Sequence, residues 1–559
     1  MDTEVATAAP AIELRDVRKT FRLESGEEVV AVDDVSLTVP KGEFVCVLGP
    51  SGHGKSTMLN MIAGFAEPTA GEVHSGGEPV EGPDPRRGVV FQRDTLFLWK
   101  RVADNIGFGL RAKGIPKAER DEIVERYLRI IGLESYGRAW PRQLSGGMRR
   151  RVAIAAVFAN EPEVLLMDEP FVGLDYARRA TLHEVLLDLW ERSRPTVFFV
   201  THDVDEALAL ADRILVVVHG RVAMEQRIEL ARPRSVGDLA QGGRRGPAHP
   251  DPRAARAGGS LGVSANAITA PSRPRVPTRA AGERETRAMR TWVVLLSVAV
   301  MVVLWHVVSV LAGTNKSGEA MVPTLIDIAG SVDRFADYWR GGLGVEATRT
   351  GGDVTVQGVV LGFLYNTGLS TLRLLAGLVL GIGAGVGLAV CVSWSRVLRD
   401  IFTLPGHFAR MLPLLAMVPL FSLWFGNTEH GSVLFVAFTA FALVFAIALN
   451  AIGNVASYYA QFAQSLGASR GRTYLEVVLP AALPQLRSGV LLAVGFGWSA
   501  VIASEYLGQE YGLGHIVQNA EFFGRTNLLA LVALITLLLA AVSLWAASRA
   551  LDWATRWAE

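Results

Sequence analysis

Ionised side chains are distributed so unevenly along this chain that no single folding environment can hold it. From Thr291 onward, only 28 Asp, Glu, Lys and Arg residues occur in 269 positions, whereas the 290 residues before carry 81. The sparse half has the composition of a chain solvated by lipid, and the dense half that of a soluble domain. A length of 559 residues also exceeds what one hydrophobic core organises. A wholly soluble enzyme, a disordered chain and a fibrous protein are thereby excluded. The net charge of +1 gives no electrostatic footprint for nucleic acid, and none is expected as a partner. Cys46 and Cys391 fall in different halves, so neither a disulfide framework nor a thiolate metal site is expected. The opening MDTEVATAAP lacks the basic and apolar regions of a signal peptide, which keeps the first domain in the cytoplasm.

Three segments follow. Residues 1–240 alternate short apolar runs with amphipathic stretches. FVCVLG (44–49), VLLMDE (164–169), TVFFVTH (196–202) and RILVVVHG (213–220) read as buried strands with helices between them, the pattern of an α/β domain. Residues 241–290 read as a linker rich in Gly, Pro, Ala and Arg. Ten arginines stand there against Asp251, Glu283 and Glu285, which suits a solvated tether or attraction to anionic membrane lipid. Residues 291–559 read as an all-α membrane domain of about six spans: Trp292–Ala312, Leu374–Val392, Met411–Phe425, Ser432–Leu449, Ser488–Ala503 and Leu528–Ser548. Arginines near the span ends (Arg284, Arg287, Arg290, Arg396, Arg399, Arg470, Arg472, Arg487, Arg549 and Arg556) place the charge-dense half and both termini in the cytoplasm of a multi-pass inner-membrane protein.

GPSGHGKST (49–57) satisfies G-x-x-x-x-G-K-[ST] directly after a strand-like run and before a helical one. Backbone N–H groups from Gly49, Pro50, Ser51, Gly52, His53 and Gly54 onward can wrap a triphosphate (proline supplies none), and the following helix N-terminus favours the anion. Lys55 reaches the terminal phosphates, Ser56 offers a hydroxyl to Mg²⁺, and Thr57 serves the neighbouring phosphate. In VLLMDEP (164–170), Asp168 anchors Mg²⁺ and Glu169 polarises the attacking water.

LSGGMRRR (144–151) narrows the class, because it resembles the signature of the ATP-binding-cassette (ABC) ATPases; the resemblance covers nearly all of residues 12–240. It implies a P-loop α/β cassette with a helical subdomain, and it implies that Ser145, Gly146 and Gly147 bind the γ-phosphate of ATP held by a second copy. By the same resemblance, Phe21 stacks on adenine and Gln92 senses Mg²⁺ and contacts the membrane domain. Asp175 belongs to the dimer-contact loop, and His202 touches the γ-phosphate. His53 and Gly173 depart from the usual pattern without removing a catalytic group, and His53 is expected to point outward.

QFAQSLGASRGRTYLEVVLP (461–480) resembles the cytoplasmic coupling segment of importer permeases, with Ala463, Gly467, Val477, Leu479 and Pro480 in register and Gln461 and Phe462 departing. A short helix, a glycine bend and a second helix stopped by proline would make a knob that docks near Gln92. LPLLAMVPLFSLWFG (412–426), STLRLLAGLVLGIGAGVGL (370–388), ASEYLGQEYGLGHIV (503–517) and VFQRDTLFLWKRVADNI (90–106) resemble the nitrate, aliphatic-sulfonate and taurine importers. The resemblance implies a type I importer-like half, fused ATPase first. It implies a homodimer using ATP and Mg²⁺, a small anionic solute and an extracytoplasmic solute-binding protein. An exporter and a non-transporting signalling ATPase stand as alternatives. Among polar residues of the membrane half, His306 is a pathway candidate. Arg373, Arg410 and Glu505 sit near span ends, where snorkelling is the commoner outcome, although an inward arginine would suit an anion. Glycines 377, 381, 383, 385 and 387 suit close helix packing.

Overall fold

The computed structural model describes residues 9–23, 25–173, 176–229, 232, 234, 279–315 and 318–558. It divides into two compact units. One gathers Met1–Arg245, Asn450–Leu486 and Leu551–Glu559, and the other gathers Gly246–Leu449 and Arg487–Ala550.

The first unit begins with β1 (Ile12–Arg22), β2 (Glu28–Val39), β3 (Phe44–Leu48), α1 (Lys55–Ala63), β4 (Ala70–Ser75), β5 (Glu78–Pro79) and β6 (Arg87–Val90). Helices α2 (Val102–Ile106), α3 (Phe108–Ala112), α4 (Lys117–Ile130) and α5 (Gly146–Phe158) follow. The chain then returns through β7 (Val164–Asp168), α6 (Tyr176–Ser193), β8 (Thr196–Val200), α7 (Val204–Leu210), β9 (Arg213–Val218) and β10 (Arg221–Arg227). One sheet is antiparallel in the order β2-β1-β4-β5. The other, β10-β9-β3-β8-β7-β6, is parallel except for β10 at its edge.

All four apolar runs read from the sequence are strands of this larger sheet. A central parallel strand is covered on both faces, which is why β3 is apolar at every position and wholly buried. Its side chains alternate between two cores. Val45 and Val47 face Ile12, Leu14, Leu59 and Ile62, whereas Phe44 and Cys46 face Ala153, Leu186 and Trp190. The phosphate loop therefore leaves a strand clamped from both sides.

The membrane half contains α8 (Arg279–Leu311), α9 (Val356–Trp394), α10 (Arg396–Met411), α11 (Leu414–Phe425), α12 (Glu429–Gly453), α13 (Ser457–Ser465), α14 (Arg470–Thr473), α15 (Leu479–Tyr506), α16 (Leu513–Phe522) and α17 (Thr526–Ala554). Among the described residues, four helical stretches are long and apolar enough to cross a membrane: α9, α12, Arg470–Tyr506 and α17. The pair α10 and α11 makes a fifth if counted as one broken span, bent by 111°. The six spans read from the sequence are thus not all recovered. The first, Trp292–Ala312, lies on α8 except for its last residue, and Leu295–Leu311 is an apolar stretch of that helix. The third breaks at Leu412, which is extended because Pro413 disfavours a helical conformation in the residue before it.

Residues 241–278 of the linker lie outside the described residues, and 279–290 are already helical, as part of α8. Residues 450–486 cluster with the ATPase half rather than with the membrane helices.

Helix packing explains three of the five glycines. A Cβ on Gly377 would come within 2.5 Å of Val436, one on Gly381 within 2.3 Å of the Ala437 carbonyl oxygen, and one on Gly385 within 3.1 Å of the Phe445 nitrogen. So α9 and α12 meet at backbone distance. Gly383 and Gly387 face open space.

Candidate functional site

The phosphate loop joins β3 to α1. Gly54 is the N-cap of α1 at φ 93°, and a Cβ there would meet the Ala31 carbonyl oxygen at 2.1 Å, so only glycine fits. Gly49, His53 and Thr57 are half-buried in the loop, and Pro50, Ser51 and Gly52 are exposed at its rim. Lys55 is buried, and its ammonium donates to the carbonyls of Gly49 at 2.6 Å and Pro50 at 2.8 Å. A cation held against the loop at a helix N-terminus favours bound anions.

His53 does not point outward. Its ring stacks on His219 at 4.7 Å, and its Nδ1 accepts the His219 backbone N–H at 3.0 Å. The left-handed His219 sits in the turn between β9 and β10 and brings that turn under the loop.

Asp168 and Glu169 end β7. Ser56 donates its hydroxyl to Asp168 at 2.9 Å. Burial raises the Asp168 carboxyl above its usual range, and the neighbouring Glu169 charge adds to this while the Ser56 hydrogen bond opposes it. A hydroxyl and a carboxylate in contact form an oxygen donor set of the kind a magnesium ion takes. The Glu169 N–H still pairs with Val200 of β8 at 2.9 Å, but its φ of 42° turns the chain out of the sheet. That turn aims its carboxylate between two side chains from other segments. The Gln92 amide donates to it at 3.1 Å, and His202 Nδ1 lies 3.5 Å away. His202 is held in the turn between β8 and α7, where Asp203 caps α7 by accepting the N–H of Asp205 at 2.9 Å. Gln92, Glu169 and His202, far apart in sequence, therefore meet.

Ser145 caps α5, accepting the Met148 N–H, with Gly146 and Gly147 in the first turn. Phe21 is exposed near the end of β1 with the Lys19 ammonium 5.3 Å from its ring centroid. Asp175 lies outside the described residues. Arg150 was missed in the sequence, although LSGGMRRR contains it. Its guanidinium is buried and donates to the carbonyls of Phe91, at 2.7 Å, and Gln92, tying the signature helix to the segment that carries Gln92.

The coupling segment packs on the same unit. Phe462, Ala463, Leu466 and Val477 are buried in one core with Phe97 and Phe108. Phe462 lies 5.5 Å from Phe97 and 6.3 Å from Phe91, the residue before Gln92. Gly467 adopts φ 87° at the bend after α13, with Pro85 at 3.3 Å from where a Cβ would stand. The bend is as the sequence suggests, but the proline stop is not. Pro480 sits at the start of α15, and a π-helical turn, Tyr474–Val478, joins α14 to α15 into one helical stretch. Proline has no N–H for the carbonyl four residues back, that of Glu476. The Trp99 indole donates to that carbonyl at 2.8 Å. The Glu476 carboxylate pairs with Lys100 at 3.0 Å and with Arg111. Burial pulls the Lys100 ammonium below its usual range, and Glu476 opposes that pull. Trp99 and Glu476 were the signals available: both lie in segments that carried the family resemblance.

In the second unit, Arg373 and Glu505 do not snorkel. Both are buried, 2% and 0% exposed, and their side chains meet at 2.6 Å. Arg373 also donates to Glu429 at 2.6 Å and to the Tyr511 carbonyl at 2.9 Å. Glu505 accepts from Ser370 at 2.8 Å and from the Gly514 N–H at 2.9 Å. A guanidinium enclosed by two carboxylates carries a net negative formal charge with them, so this arginine is no counter-charge for an anionic solute. It closes on the protein instead because unpaired charge in an apolar setting is costly. Arg410 and His306 are exposed on α10 and α8.

Both halves of the chain resemble known proteins. Residues 32–172 match the ABC transporter family, and residues 377–556 match the binding-protein-dependent transport system inner membrane component. An uncharacterized ABC transporter ATP-binding protein of Methanocaldococcus jannaschii is 48% identical over 40% of this chain and 84% of its own length. The nitrate import ATP-binding protein NrtD of Synechococcus elongatus is 46% identical over 37% of this chain and 76% of its own. The taurine import ATP-binding protein TauB of Roseobacter denitrificans is 42% identical over 39% and 83%. The chain thus belongs to the ABC transporter family, as an integral membrane protein in which an ATP-binding cassette, an ATPase coupled to transport, is fused to its permease component.

Proposed function

We propose that this chain is one half of an ATP-driven importer and that two copies form the working transporter. The observation that carries this reading is the burial of Phe462, Ala463, Leu466 and Val477 in one core with Phe97, a few residues beyond Gln92. A permease segment anchored there moves with the loop that contacts the attacking-water carboxylate, so closure of the cassettes is transmitted to α15.

In this reading ATP lies on the loop Gly49–Thr57 with Phe21 against the adenine. Ser145, Gly146 and Gly147 of one copy face the γ-phosphate held by the other, and Asp175 lies at their contact. Ser56, Asp168 and Gln92 would hold Mg²⁺, which would supply charge neutralisation at the phosphates. Glu169 orients the attacking water, and His202 contacts the γ-phosphate. The cassette faces the cytoplasm at the inner membrane, and the domains follow the order 1–240, 241–290 and 291–559, with 450–486 acting as the coupling knob. The cargo is a small anion such as a sulfonate or nitrate, in keeping with the names of the relatives, delivered by an external solute-binding protein.

The test is ATPase activity of the chain reconstituted in liposomes with candidate binding proteins loaded with taurine, alkanesulfonates, nitrate or heterocyclic precursors. Stimulation by one loaded protein, with uptake of its cargo, is expected. ATPase activity indifferent to every loaded protein, with no uptake, contradicts the reading.

A further inference from the structure

Residues 551–559 cluster with the ATPase half, although α17 ends there. Thr555 and Trp557 are buried, 5% and 8% exposed, while Arg556 and Ala558 beside them are exposed. A tight turn sets this alternation: the Thr555 N–H donates to the Leu551 carbonyl at 2.8 Å, and the Ala558 N–H donates to the Thr555 carbonyl at 2.7 Å. The turn presents Trp557 edge-on to Trp99, with ring centroids 5.7 Å apart and planes at 67°. This is a favoured geometry for an aromatic pair.

Trp99 is already engaged. Its ring meets Tyr459 of α13 at 5.5 Å and Phe97 at 5.6 Å, and its N–H holds the Glu476 carbonyl. Burial, with Tyr458 beside it, raises the Tyr459 phenol above its usual range. One cassette side chain therefore touches three separate stretches of the permease sequence: α13, the π-helical turn, and the turn after α17. The first two belong to the coupling segment. The third has no role in the function proposed above.

We propose that the turn after α17 is a second transmission contact, with Trp557 as its positioning residue. The coupling segment carries cassette motion to α15, and Trp557 carries it to α17. A body held at one point can pivot about it, whereas one held at two points must follow. The surface is an aromatic platform, Trp99 with Tyr459, and the partner it fits is the tryptophan-bearing turn of the permease. This inference rests on the coupling reading above.

The test uses the full chain in phosphatidylethanolamine–phosphatidylglycerol nanodiscs. Glu169→Gln halts turnover, and Cys391→Ser leaves the buried Cys46 as the remaining thiol. A spin label at Leu483→Cys reports on α15 and one at Arg549→Cys on α17, each read with and without ATP and Mg²⁺. ATP is expected to change both spectra. Trp557→Ala is expected to cut the ATP response at 549 by roughly five-fold while leaving that at 483, and Trp557→Phe to restore most of it. ATP affinity stays the same in all of them. An undiminished response at 549 in Trp557→Ala overturns the proposal, and if Gly467→Pro then still abolishes the response at 483, the coupling reading survives without it. No ATP response at either label in the parent chain overturns both.

Discussion

Two glutamates, one in each half, stand at the centre of polar clusters and are put to opposite uses. Glu169 meets Gln92 at 3.1 Å and His202 at 3.5 Å, and the His202 side chain is 59% exposed. Glu505 meets Arg373, Ser370 and the Gly514 N–H, and both charged side chains are within 2% of complete burial. The first carboxylate keeps lone pairs and an approach for a reacting group. The second is saturated on every side. A charge meant to act must remain partly unsatisfied, and one meant to hold helix ends together must not. The comparison also explains why Arg373 does not serve as an anion site.

The sharpest way to break this contrast is at Glu169. Glu169→Gln removes the carboxylate proposed to orient the attacking water while keeping the shape, and turnover is expected to fall by about 10²–10⁴-fold with nucleotide affinity intact. Turnover within a factor of two or so would dissolve the distinction. On the other side, Arg373→Met strands Glu505 in an apolar site, which costs about 3–5 kcal/mol. Thermal unfolding in detergent should show a large loss, partly recovered by adding Glu505→Gln, and an unchanged transition would show that the cluster holds nothing.

Two smaller effects sharpen the same contrast at the coupling segment. Gly467→Pro removes the N–H that bonds to Gln464 and forces φ away from 87°. The transport-to-ATPase ratio is expected to drop by roughly ten-fold with ATP binding spared. Normal coupling in this variant contradicts docking at the bend. Trp99→Phe keeps the ring but removes the donor to the Glu476 carbonyl, a loss of about 1 kcal/mol. Hydrogen exchange in 474–480 should rise slightly, and exchange unchanged there would mean that water replaces the indole at no cost.

What was legible in the sequence follows from range. Strands β3, β7, β8 and β9 announce themselves because burial on both faces forces continuous apolar runs. The phosphate loop and signature are legible because their chemistry is written in adjacent residues, and the family resemblance singled out Gln92 and His202, which the fold then places beside Glu169. The misreadings are long-range. Arg373 and Glu505 are 132 positions apart, and each alone looks like a residue at a span end. His53 looked outward because nothing local reveals His219, 166 residues on. Pro480 looked like a stop because a π-helical turn and an indole from another segment absorb its missing donor.

The central claim is that each catalytic site is shared between two copies, and complementation tests it most directly. Lys55→Ala disables the phosphate loop, and Gly146→Trp blocks the signature; each homodimer should be inactive. In a mixed dimer, one site combines both lesions and the other has neither, so mixing the two inactive proteins should restore roughly a quarter of parental ATPase activity. Full inactivity of every mixture, or activity in either variant alone, contradicts the claim.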